Sequence, residues 1–401
     1  ILIVSQYFWP EDFKVNDIAF DFVQKGHDVT VLTAKPNYPQ GKFYKGYGFF
    51  SKRNETYKGV KIIRTPIIPR RGGGVIFLIL NYLSFIFFGF FTAMFRVKKG
   101  YDLIFCHLTS PLTSALPAIW LKQRFKIPLV IWVLDLWPES VASTTNIKNK
   151  QFYKYLGKLV SYIYNTSDHI LVSSRSFISS IKEKLSKEGV PITYFPNWAE
   201  DIFVQESKQE HKLPTLPKGF NIMFAGNIGE AQDFEAIVQA AKRTLEEDIN
   251  WIIVGDGRKN DWLKNKISQD KLTNSILLGR YPLEAMPSFF QKADAMLVSL
   301  KNEAVFQLTV PAKVQAYMAS GKIILGMING EANDLINNSC CGYAVSAGDY
   351  ESLANKAIQL KNLDPNERKE MEKYATKYYH EHFSKPILLQ NLEHLLNNQK
   401  G

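Results

Sequence analysis

The fold of this chain is predicted most directly by one stretch, FQLTVPAKVQAYMASGK, which occupies residues 306–322. A polar loop ends at Pro311, whose missing N–H costs nothing in a first helical turn, and Gly321 closes the helix. The first-turn amides of such a helix have no internal partners and, with the helix dipole, attract anions. Lys313 adds a cation, so the stretch predicts a pyrophosphate site; the alternative is an ordinary helix start with Lys313 in solvent.

Outward from this helix, the chain alternates between apolar strand-like runs and segments of helical period. The first half carries predicted strands at 1–5, 29–33, 61–64, 103–106, 129–134, 169–172 and 192–195, with helices at 16–25, 112–124, 152–165 and 176–185. The second half carries predicted strands at 221–225, 251–254, 275–278, 295–299 and 322–325. Two such series predict an α/β protein with two doubly wound domains on parallel sheets. Ligands are then expected at the carboxyl ends of the strands, in the cleft between the domains.

The domain boundaries follow from the length and from one polar segment. A chain of 401 residues exceeds what a single core usually serves. The stretch ESKQEHKLPTLPK (206–218) is predicted to be a linker. We therefore expect an N-terminal domain over 1–205, a C-terminal domain over 206–380, and a C-terminal helix over 381–401 that packs back on the N-terminal domain.

Positive charge is concentrated in the first half of the chain. Residues 1–200 hold 26 Lys and Arg against 13 Asp and Glu, whereas residues 201–401 hold 23 against 25. A basic half indicates phosphates, nucleic acid or a membrane surface as partner, or else only a soluble basic surface. The three cysteines form no CxxC and suit a reducing cytosol. Because no HxxxH or HxH pattern occurs, no metal site is expected.

An uncharged segment of 21 residues, from Val75 to Phe95, favours the membrane among these partners. On a helix, its polar residues Asn81, Ser84 and Thr92 form a stripe about 80° wide. Predicted strands of one sheet precede and follow it, so we expect a half-buried crossover helix with one face toward an anionic membrane. A wholly buried helix and a spanning helix are the alternatives. The cations that bracket the segment are Arg70, Arg71, Arg96, Lys98 and Lys99.

Three turns that follow predicted strands are rich in glycine. They are Gly226-Asn227-Ile228-Gly229, Gly255-Asp256-Gly257-Arg258 and Gly279-Arg280-Tyr281. Bare backbone lets a phosphate or a base approach closely, although a single glycine turn is ordinary. The turn after the first strand has no GxGxxG, which weighs against a dinucleotide enzyme. Together with the helix start at Lys313, the three turns predict a bound nucleotide diphosphate.

The order of these motifs resembles glycosyltransferase family 4, a group of retaining, metal-independent enzymes. The matching motifs are KGHDVTVLT (25–33), PNYP (36–39), DLWPES (135–140), PNW (196–198), FAGNIG (224–229), VGDG (254–257), LGR (278–280) and AYMASGK (316–322). Within the family, the chain looks most like bacterial enzymes of O-antigen, lipopolysaccharide and capsule assembly, some of which are N-acetyl-L-fucosamine transferases. The resemblance implies the GT-B fold: two Rossmann-like domains with an interdomain cleft, the first binding the acceptor and the second the nucleotide sugar.

By this resemblance, the chain is expected to move a sugar, such as an N-acetylated deoxyhexosamine, from a UDP- or dTDP-linked donor to a polyprenyl-diphosphate-linked saccharide. No cofactor and no nucleic acid are expected. The first domain is expected to attach to the cytoplasmic face of the bacterial inner membrane, as a peripheral or monotopic protein. Two alternatives stay open: a nucleotide-sugar epimerase of the same fold, and a non-catalytic membrane-bound relative.

The resemblance also implies site residues. Lys313 is expected to stabilise the leaving diphosphate, and Asp135 to orient the donor sugar or the acceptor hydroxyl; the alternative for Asp135 is a helix cap. His27 is expected to be structural, and His107 is a weaker candidate at the end of a strand. The expected donor-binding residues are Gly226, Asn227, Gly229, Arg258, Arg280, Tyr281, Gln307, Leu308, Thr309, Val310, Pro311 and Gln315.

Several of these positions depart from the family pattern. Gln307 and Gln315 stand where the family usually carries two glutamates that contact the donor sugar and the ribose. Asn227 and Gln232 stand where it carries two cations that clamp the diphosphate. Lys313 is therefore expected to neutralise more of the phosphate charge, with help from an arginine of the glycine-rich turns.

Overall fold

The structure is a computed structural model that describes residues 1–71, 74–145, 147, 149–186, 189–205 and 213–399. It divides into two compact units, each with its own sheet. Unit 1 comprises Ile1–Pro196 and Pro386–Gly401, and unit 2 comprises Asn197–Lys385. The first seven residues of the predicted linker, 206–212, lie outside the described residues.

Unit 1 is an α/β unit in which helices alternate with mainly parallel strands. Its strands are β1 (Leu2–Val4), β2 (Thr30–Ala34), β3 (Asn54–Tyr57), β4 (Val60–Thr65), β5 (Ile104–Leu108), β6 (Leu129–Val133), β7 (His169–Val172) and β8 (Ile192–Tyr194). Its first six helices are α1 (Lys14–Gln24), α2 (Val75–Arg96), α3 (Leu116–Phe125), α4 (Glu139–Thr144), α5 (Lys150–Thr166) and α6 (Phe177–Lys182). The strand order is β3-β4-β2-β1-β5-β6-β7-β8, and only β3 runs antiparallel to its neighbour.

The central strands of unit 1 are buried along their whole length. The burial holds for β1, β2, β5, β6 and β7, as expected for parallel strands with helices on both faces. Continuous apolar runs therefore predicted these strands well. The sequence did not predict β3, because its four residues NETY are polar and alternate between exposed and half-buried positions at the sheet edge.

Unit 2 is a second doubly wound unit with an all-parallel sheet. Its strands are β9 (Phe220–Ala225), β10 (Ile249–Val254), β11 (Ser275–Gly279), β12 (Ala295–Ser299), β13 (Ile324–Met327) and β14 (Gly342–Val345). Its helices are α7 (Asp201–Val204), α8 (Phe234–Arg243), α9 (Asn260–Gln269), α10 (Met286–Gln291), α11 (Ala304–Gln307), α12 (Ala312–Ala319), α13 (Glu331–Asn338), α14 (Tyr350–Asn362) and α15 (Pro365–His382). A last helix, α16 (Lys385–Asn398), belongs to unit 1 from Pro386 onward.

The sheet of unit 2 has the strand order β11-β10-β9-β12-β13-β14. From β9, the strands β10 and β11 are added on one side of the sheet and β12, β13 and β14 on the other. The boundary between β9 and β12 is therefore the switch point where such sheets bind ligands. The two strands pair only through Ala295 with Ile222 and Met296 with Met223. Beyond this pairing, β9 continues to Ala225 and β12 to Ser299.

The stretch that predicted this fold forms α12, as expected. The helix ends at Ala319, and Gly321 follows with a φ of 63°. The Lys322 N–H then donates to the Tyr317 carbonyl at 3.0 Å, which completes a glycine-terminated helix end. This closure uses residues 320–322, so β13 begins at Ile324 and not at the predicted residue 322.

Within unit 1, α16 is tied to the turn after α1. His27 Nε2 lies 2.7 Å from Glu393 Oε1, and Lys25 Nζ lies 3.2 Å from Glu393 Oε2. Hydrogen bonds with His27 and Lys25 lower the pKa of Glu393. His27 therefore has a structural role, as the sequence predicted.

Candidate active site

Unit 2 contains a cavity of about 430 Å³ at the carboxyl ends of β9, β10 and β11. Four of the predicted donor-binding residues line it: Gly226, Asn227, Arg280 and Tyr281. Gly255, Asp256 and Gly257 of its wall belong to the second predicted glycine-rich turn, although they were not named among the individual donor-binding residues. Val254 and Met286 complete the wall. The cavity lies where the glycine-rich turns were expected to meet, because parallel strands deliver their carboxyl ends to one edge.

The glycines of the second turn bring two loops into backbone contact. A methyl group added at Gly255 would lie 1.8 Å from the Gly226 carbonyl oxygen, and one at Gly257 would lie 2.2 Å from the Ile228 carbonyl oxygen. The loops are joined by hydrogen bonds from Gly226 N to Val254 O (2.8 Å) and from Ile228 N to Asp256 O (2.9 Å). These glycines therefore shape the cavity wall by close packing.

Lys313 lies beside this cavity, at the start of α12. Its ammonium is 3.6 Å from the centroid of the Phe224 ring, and a methyl group added at Gly226 would lie 2.8 Å from Nζ. Burial lowers the pKa of Lys313 to about 7. Among the described residues, no carboxylate forms a salt bridge with it. A poorly solvated cation without a counter-ion suits an incoming phosphate.

Tyr317 fixes the position of α12 against β9. Its hydroxyl lies 3.4 Å from both the backbone nitrogen and the carbonyl oxygen of Ala225. The end of β12 is held to the segment after β9 as well, because the Ser299 hydroxyl donates to the Gln232 carbonyl at 2.5 Å. The helix start, Lys313 and the Gly226 turn therefore form one local arrangement within unit 2.

The loop that leads into α12 has polar contacts of its own. Gln307 is exposed, and its Nε2 donates to Asn302 Oδ1 at 3.1 Å. The Thr309 hydroxyl donates to the Val305 carbonyl at 2.9 Å. Leu308 and Val310 lie in the same loop, and Pro311 is the residue that immediately precedes the helix. None of these predicted residues is part of the cavity wall given above.

Three other predicted donor-binding residues do not line the cavity either. Gln315 is only 1% exposed because it lies on the buried face of α12, and no described group pairs with its Oε1. Gly229 is buried, and its N–H donates to Gln232 Oε1 at 3.1 Å. Arg258 is exposed outside the cavity wall. The contact of Gln315 with a ribose stays a prediction, and Gln232 supports the turn.

Two family profiles match successive parts of the chain. A profile described as a glycosyl transferase 4-like domain matches residues 15–198. A profile described as glycosyl transferases group 1 matches residues 205–378, which include the cavity and α12.

Several individual proteins are also similar to this chain over most of its length. The probable glycosyltransferase WbjE of Pseudomonas aeruginosa is 26% identical over 277 residues, 67% of this chain and 68% of that one. The putative colanic acid biosynthesis glycosyl transferase WcaI of Escherichia coli is 24% identical over 336 residues, 80% of this chain and 81% of that one. The structure of HepE from Anabaena in complex with UDP and glucose has a TM-score of 0.65 at 13% identity, covering 99% of this chain and 98% of that one.

This chain is a glycosyltransferase with the GT-B fold. The sequence-based predictions of the fold and of a transferase are thereby confirmed.

Asp135 of the glycosyltransferase lies two residues after the end of β6, at the carboxyl edge of the unit 1 sheet. Its Oδ2 accepts a hydrogen bond of 2.9 Å from the backbone N–H of Ser110, which follows β5. The next helix, α4, has no side-chain cap, so the alternative role of Asp135 as a helix cap is wrong. Trp137 is buried and donates from Nε1 to the Ser110 hydroxyl at 3.1 Å, which makes it a packing residue.

His107, the weaker candidate of the sequence, is buried in the core of unit 1. It is 2% exposed in β5, and burial lowers its pKa to about 3. Its Nδ1 lies 3.1 Å from the Ser5 hydroxyl. The ring is therefore neutral near pH 7 and serves the core of unit 1.

From the sequence, Arg70 was expected only as a cation that flanks the segment 75–95. In the structure it lies in a cluster of tyrosines. Its guanidinium is 5.3, 5.2 and 5.5 Å from the ring centroids of Tyr7, Tyr38 and Tyr82. It donates to the hydroxyls of Tyr7 and Tyr82. Burial raises the pKa of both tyrosines, so the hydroxyls stay protonated. The sequence signal that could have indicated this cluster was that Tyr7 and Tyr38 each follow a strand. Its guanidinium and hydroxyl groups are suited to binding a phosphate.

The helix α2 has the reverse of the usual polarity. Its polar residues Asn81, Ser84 and Thr92 are buried against unit 1. Asn81 Nδ2 donates to the Ile68 carbonyl at 2.6 Å, and Ser84 accepts from the Ile68 N–H at 2.9 Å. The large exposed side chains are Ile76, Ile79, Leu80, Leu83, Phe87, Phe91 and Phe95. The helix thus buries its polar stripe and exposes apolar surface.

Both the length and the setting of α2 were predicted correctly. It joins β4 to β5, which belong to one sheet, so it is a crossover helix. Among the described residues, the single helix long and apolar enough to cross a membrane is this one, at Ile76–Arg96. Of the flanking cations, Arg96 is engaged with the carbonyls of Arg64 and Arg53, whereas Lys98 and Lys99 are exposed.

Proposed function

We propose that this glycosyltransferase is a retaining, metal-independent enzyme of bacterial surface polysaccharide assembly. It would move a sugar from a UDP- or dTDP-linked donor to a polyprenyl-diphosphate-linked saccharide at the cytoplasmic face of the inner membrane. The observation that carries the lipid-linked acceptor is the reversed polarity of α2. The resemblance to N-acetyl-L-fucosamine transferases makes an N-acetylated deoxyhexosamine the proposed sugar.

The donor diphosphate is assigned to the region between the Gly226 turn and the start of α12. This region combines first-turn amides, a helix dipole and the Lys313 ammonium, all of which stabilise negative charge. Such preorganised donors act most strongly where negative charge grows in the transition state. One such group lowers the activation free energy by about 3 kcal/mol. Arg280 and Tyr281, across the cavity, are assigned to the base end of the nucleotide.

In the proposed reaction, the bond between the anomeric carbon of the donor and its phosphate oxygen breaks. The oxygen of an acceptor hydroxyl bonds to that carbon from the face that the phosphate leaves, so the configuration is retained. The hydroxyl proton passes to the departing phosphate oxygen. Lys313 and the α12 amides bind the released nucleoside diphosphate, and Asp135 is assigned to orienting the acceptor hydroxyl.

The acceptor is assigned to unit 1. A polyprenyl-diphosphate carries its chain in the bilayer and its diphosphate at the surface, so a protein that uses it benefits from contacting both. The exposed apolar face of α2 meets the first requirement. Arg70 with the hydroxyls of Tyr7 and Tyr82, close to the start of α2, meets the second.

A transfer assay tests this function. Purified enzyme is incubated with UDP- or dTDP-linked N-acetylated sugars and a polyprenyl-diphosphate-linked saccharide in detergent micelles, and the lipid fraction is analysed by mass spectrometry. The proposal expects one added sugar that depends on both substrates. An isomerised nucleotide sugar would indicate an epimerase. Transfer to a soluble sugar acceptor, with the lipid-linked one left unchanged, would exclude the proposed acceptor.

A further inference from the structure

A second cavity, of about 410 Å³, lies at the surface of unit 1 among α2, α3 and α5. Its wall includes Phe87 and Phe91 of α2, Pro117 and Trp120 of α3, and Tyr162 of α5. Nearly all of its lining side chains are apolar or aromatic. The cavity is continuous with the exposed face of α2, because Phe87 and Phe91 belong to both.

Close packing of α2 on α3 builds the floor of this cavity. A methyl group added at Gly89 would lie 3.2 Å from Pro117 Cγ. Beside this contact, the rings of Phe90 and Trp120 meet edge to face with their centroids 5.2 Å apart. The Arg124 guanidinium covers the other part of the Trp120 ring at 5.0 Å. The cavity is therefore a built groove with an aromatic wall and a cation at its border.

The helix α5 extends this surface beyond the cavity. Its side chains Phe152, Tyr155 and Tyr162 are exposed, Tyr155 by 68% and Tyr162 by 47%. At 100° per residue, these three positions fall within an arc of about 80° on one face of the helix. Lys154 and Lys158 are exposed next to this arc. Tyr162 also lines the cavity, so the aromatic stripe begins where the groove ends.

We propose that α2, α3 and α5 together form one membrane-binding surface, in which the groove takes a hydrocarbon chain of a bilayer phospholipid and the α5 stripe lies at the headgroup level. The inference rests on the proposed membrane attachment and adds two helices and a lipid site to it. Tyrosine and tryptophan favour this depth because each has an apolar body and a polar tip.

Charge selects an anionic bilayer as the occupant. The sequences of α2, α3 and α5 contain no Asp or Glu, whereas α3 carries Arg124 and α5 carries Lys150, Lys154 and Lys158. Lys122 of α3 is instead paired with Asp168, at 2.6 Å. Each basic residue near an anionic surface adds to the attraction.

Vesicle binding tests the contribution of α5. Vesicles of phosphatidylethanolamine and phosphatidylglycerol, without donor or acceptor, are sedimented with wild-type enzyme, with a Phe152→Ser, Tyr155→Ser, Tyr162→Ser variant, and with Tyr374→Ser. Tyr374 is a matched control because it is 46% exposed in unit 2. We expect the α5 variant to bind about tenfold more weakly, as expected for lost interfacial apolar surface, and the control to bind like wild type. Equal binding by the α5 variant would overturn the inference.

Fluorescence tests the groove separately. Vesicles with bromine atoms on the acyl chains should quench wild-type tryptophan fluorescence, and the quenching should be largely lost in Trp120→Phe. Quenching that is unchanged in Trp120→Phe would overturn the lipid-chain site. These assays contain no sugar substrate, so failed sugar transfer with intact vesicle binding would count against the proposed function alone. Wild-type protein that does not sediment with the vesicles would contradict the proposed membrane-binding surface itself.

Discussion

At the scale of single residues, Lys313 illustrates what the sequence could and could not predict. Its place in the first turn of a helix followed from Pro311 and Gly321, and α12 confirms it. Its poor solvation did not follow, because Phe224 and Gly226 lie about 90 positions earlier in the chain and reach Lys313 only through the fold. The burial of Gln315 did not follow either, since it depends on the packing of α12.

Replacing Lys313 tests its role in catalysis. We expect Lys313→Ala to lower turnover by about two orders of magnitude, the effect of losing one preorganised group that stabilises the leaving diphosphate. Steady-state kinetics at saturating donor measures this, with Lys301→Ala, a half-exposed lysine paired with Glu230, as the control. Turnover near that of wild type would remove Lys313 from the mechanism.

The pH dependence of donor binding tests the charge state of Lys313. Because burial lowers its pKa to about 7, the free enzyme holds a protonated Lys313 below pH 7 and loses this charge above it. A bound diphosphate favours the protonated form, so affinity for the donor should fall as pH rises above 7, by up to about tenfold per pH unit. Titration calorimetry from pH 6 to 9 measures this decrease in affinity, because that range spans the pKa of Lys313. A flat profile for wild type would contradict the assignment.

Asp135 should separate binding from transfer. The donor is assigned to unit 2 and Asp135 belongs to unit 1, so Asp135→Asn should keep nucleotide affinity and lose most transfer. The asparagine oxygen can still accept from the Ser110 N–H, which preserves the loop. Calorimetry with UDP or dTDP and an activity assay together measure the two effects. Parallel loss of both would identify Asp135 as a folding residue.

At the scale of elements, α2 was the most informative helix. Its sequence predicted a crossover helix, a narrow polar stripe and an apolar face, and the structure bears out all three. What the sequence could not specify was that Ser84 and Asn81 bind the backbone of the segment after β4, since those partners become neighbours only in the folded sheet. The edge strands β3 and β14 were missed because short or polar edge strands lack a clear apolar run.

The structure also sharpens the choice of α2 variants. Phe88 and Phe90 pack against Phe49 and Trp120, so replacing them would disturb folding. The four exposed residues to replace with serine are Leu83, Phe87, Phe91 and Phe95.

We expect this fourfold α2 variant to reduce recovery with membranes severalfold, because it removes the apolar contact, while nucleotide binding by unit 2 persists. Cell fractionation followed by immunoblotting measures recovery, and Ile387→Ser, an exposed position on α16, is the control. High salt should also release part of the wild-type enzyme, since the attraction to lipid headgroups is screened. Unchanged recovery of the α2 variant would rule out this face as the anchor.

At the scale of the whole molecule, two doubly wound units carry different tasks in the proposed enzyme. The glycine-rich cavity and Lys313 belong to unit 2, whereas the apolar helices, Asp135 and the Arg70 cluster belong to unit 1. The uneven charge of the sequence agrees with this division, because the basic half contains the helices assigned to the membrane. Repeating βα patterns were enough to predict both sheets, while the Arg70 cluster required side chains from four separate segments to meet.

The central claim is that a sugar passes from a nucleotide donor to a lipid-linked saccharide with its anomeric configuration retained. It is tested most directly by NMR analysis of the linkage in the lipid-linked product made by purified enzyme. The account predicts a new glycosidic bond with the same anomeric configuration as the donor. A bond of the opposite configuration, or a sugar released into water with the acceptor unchanged, would contradict it.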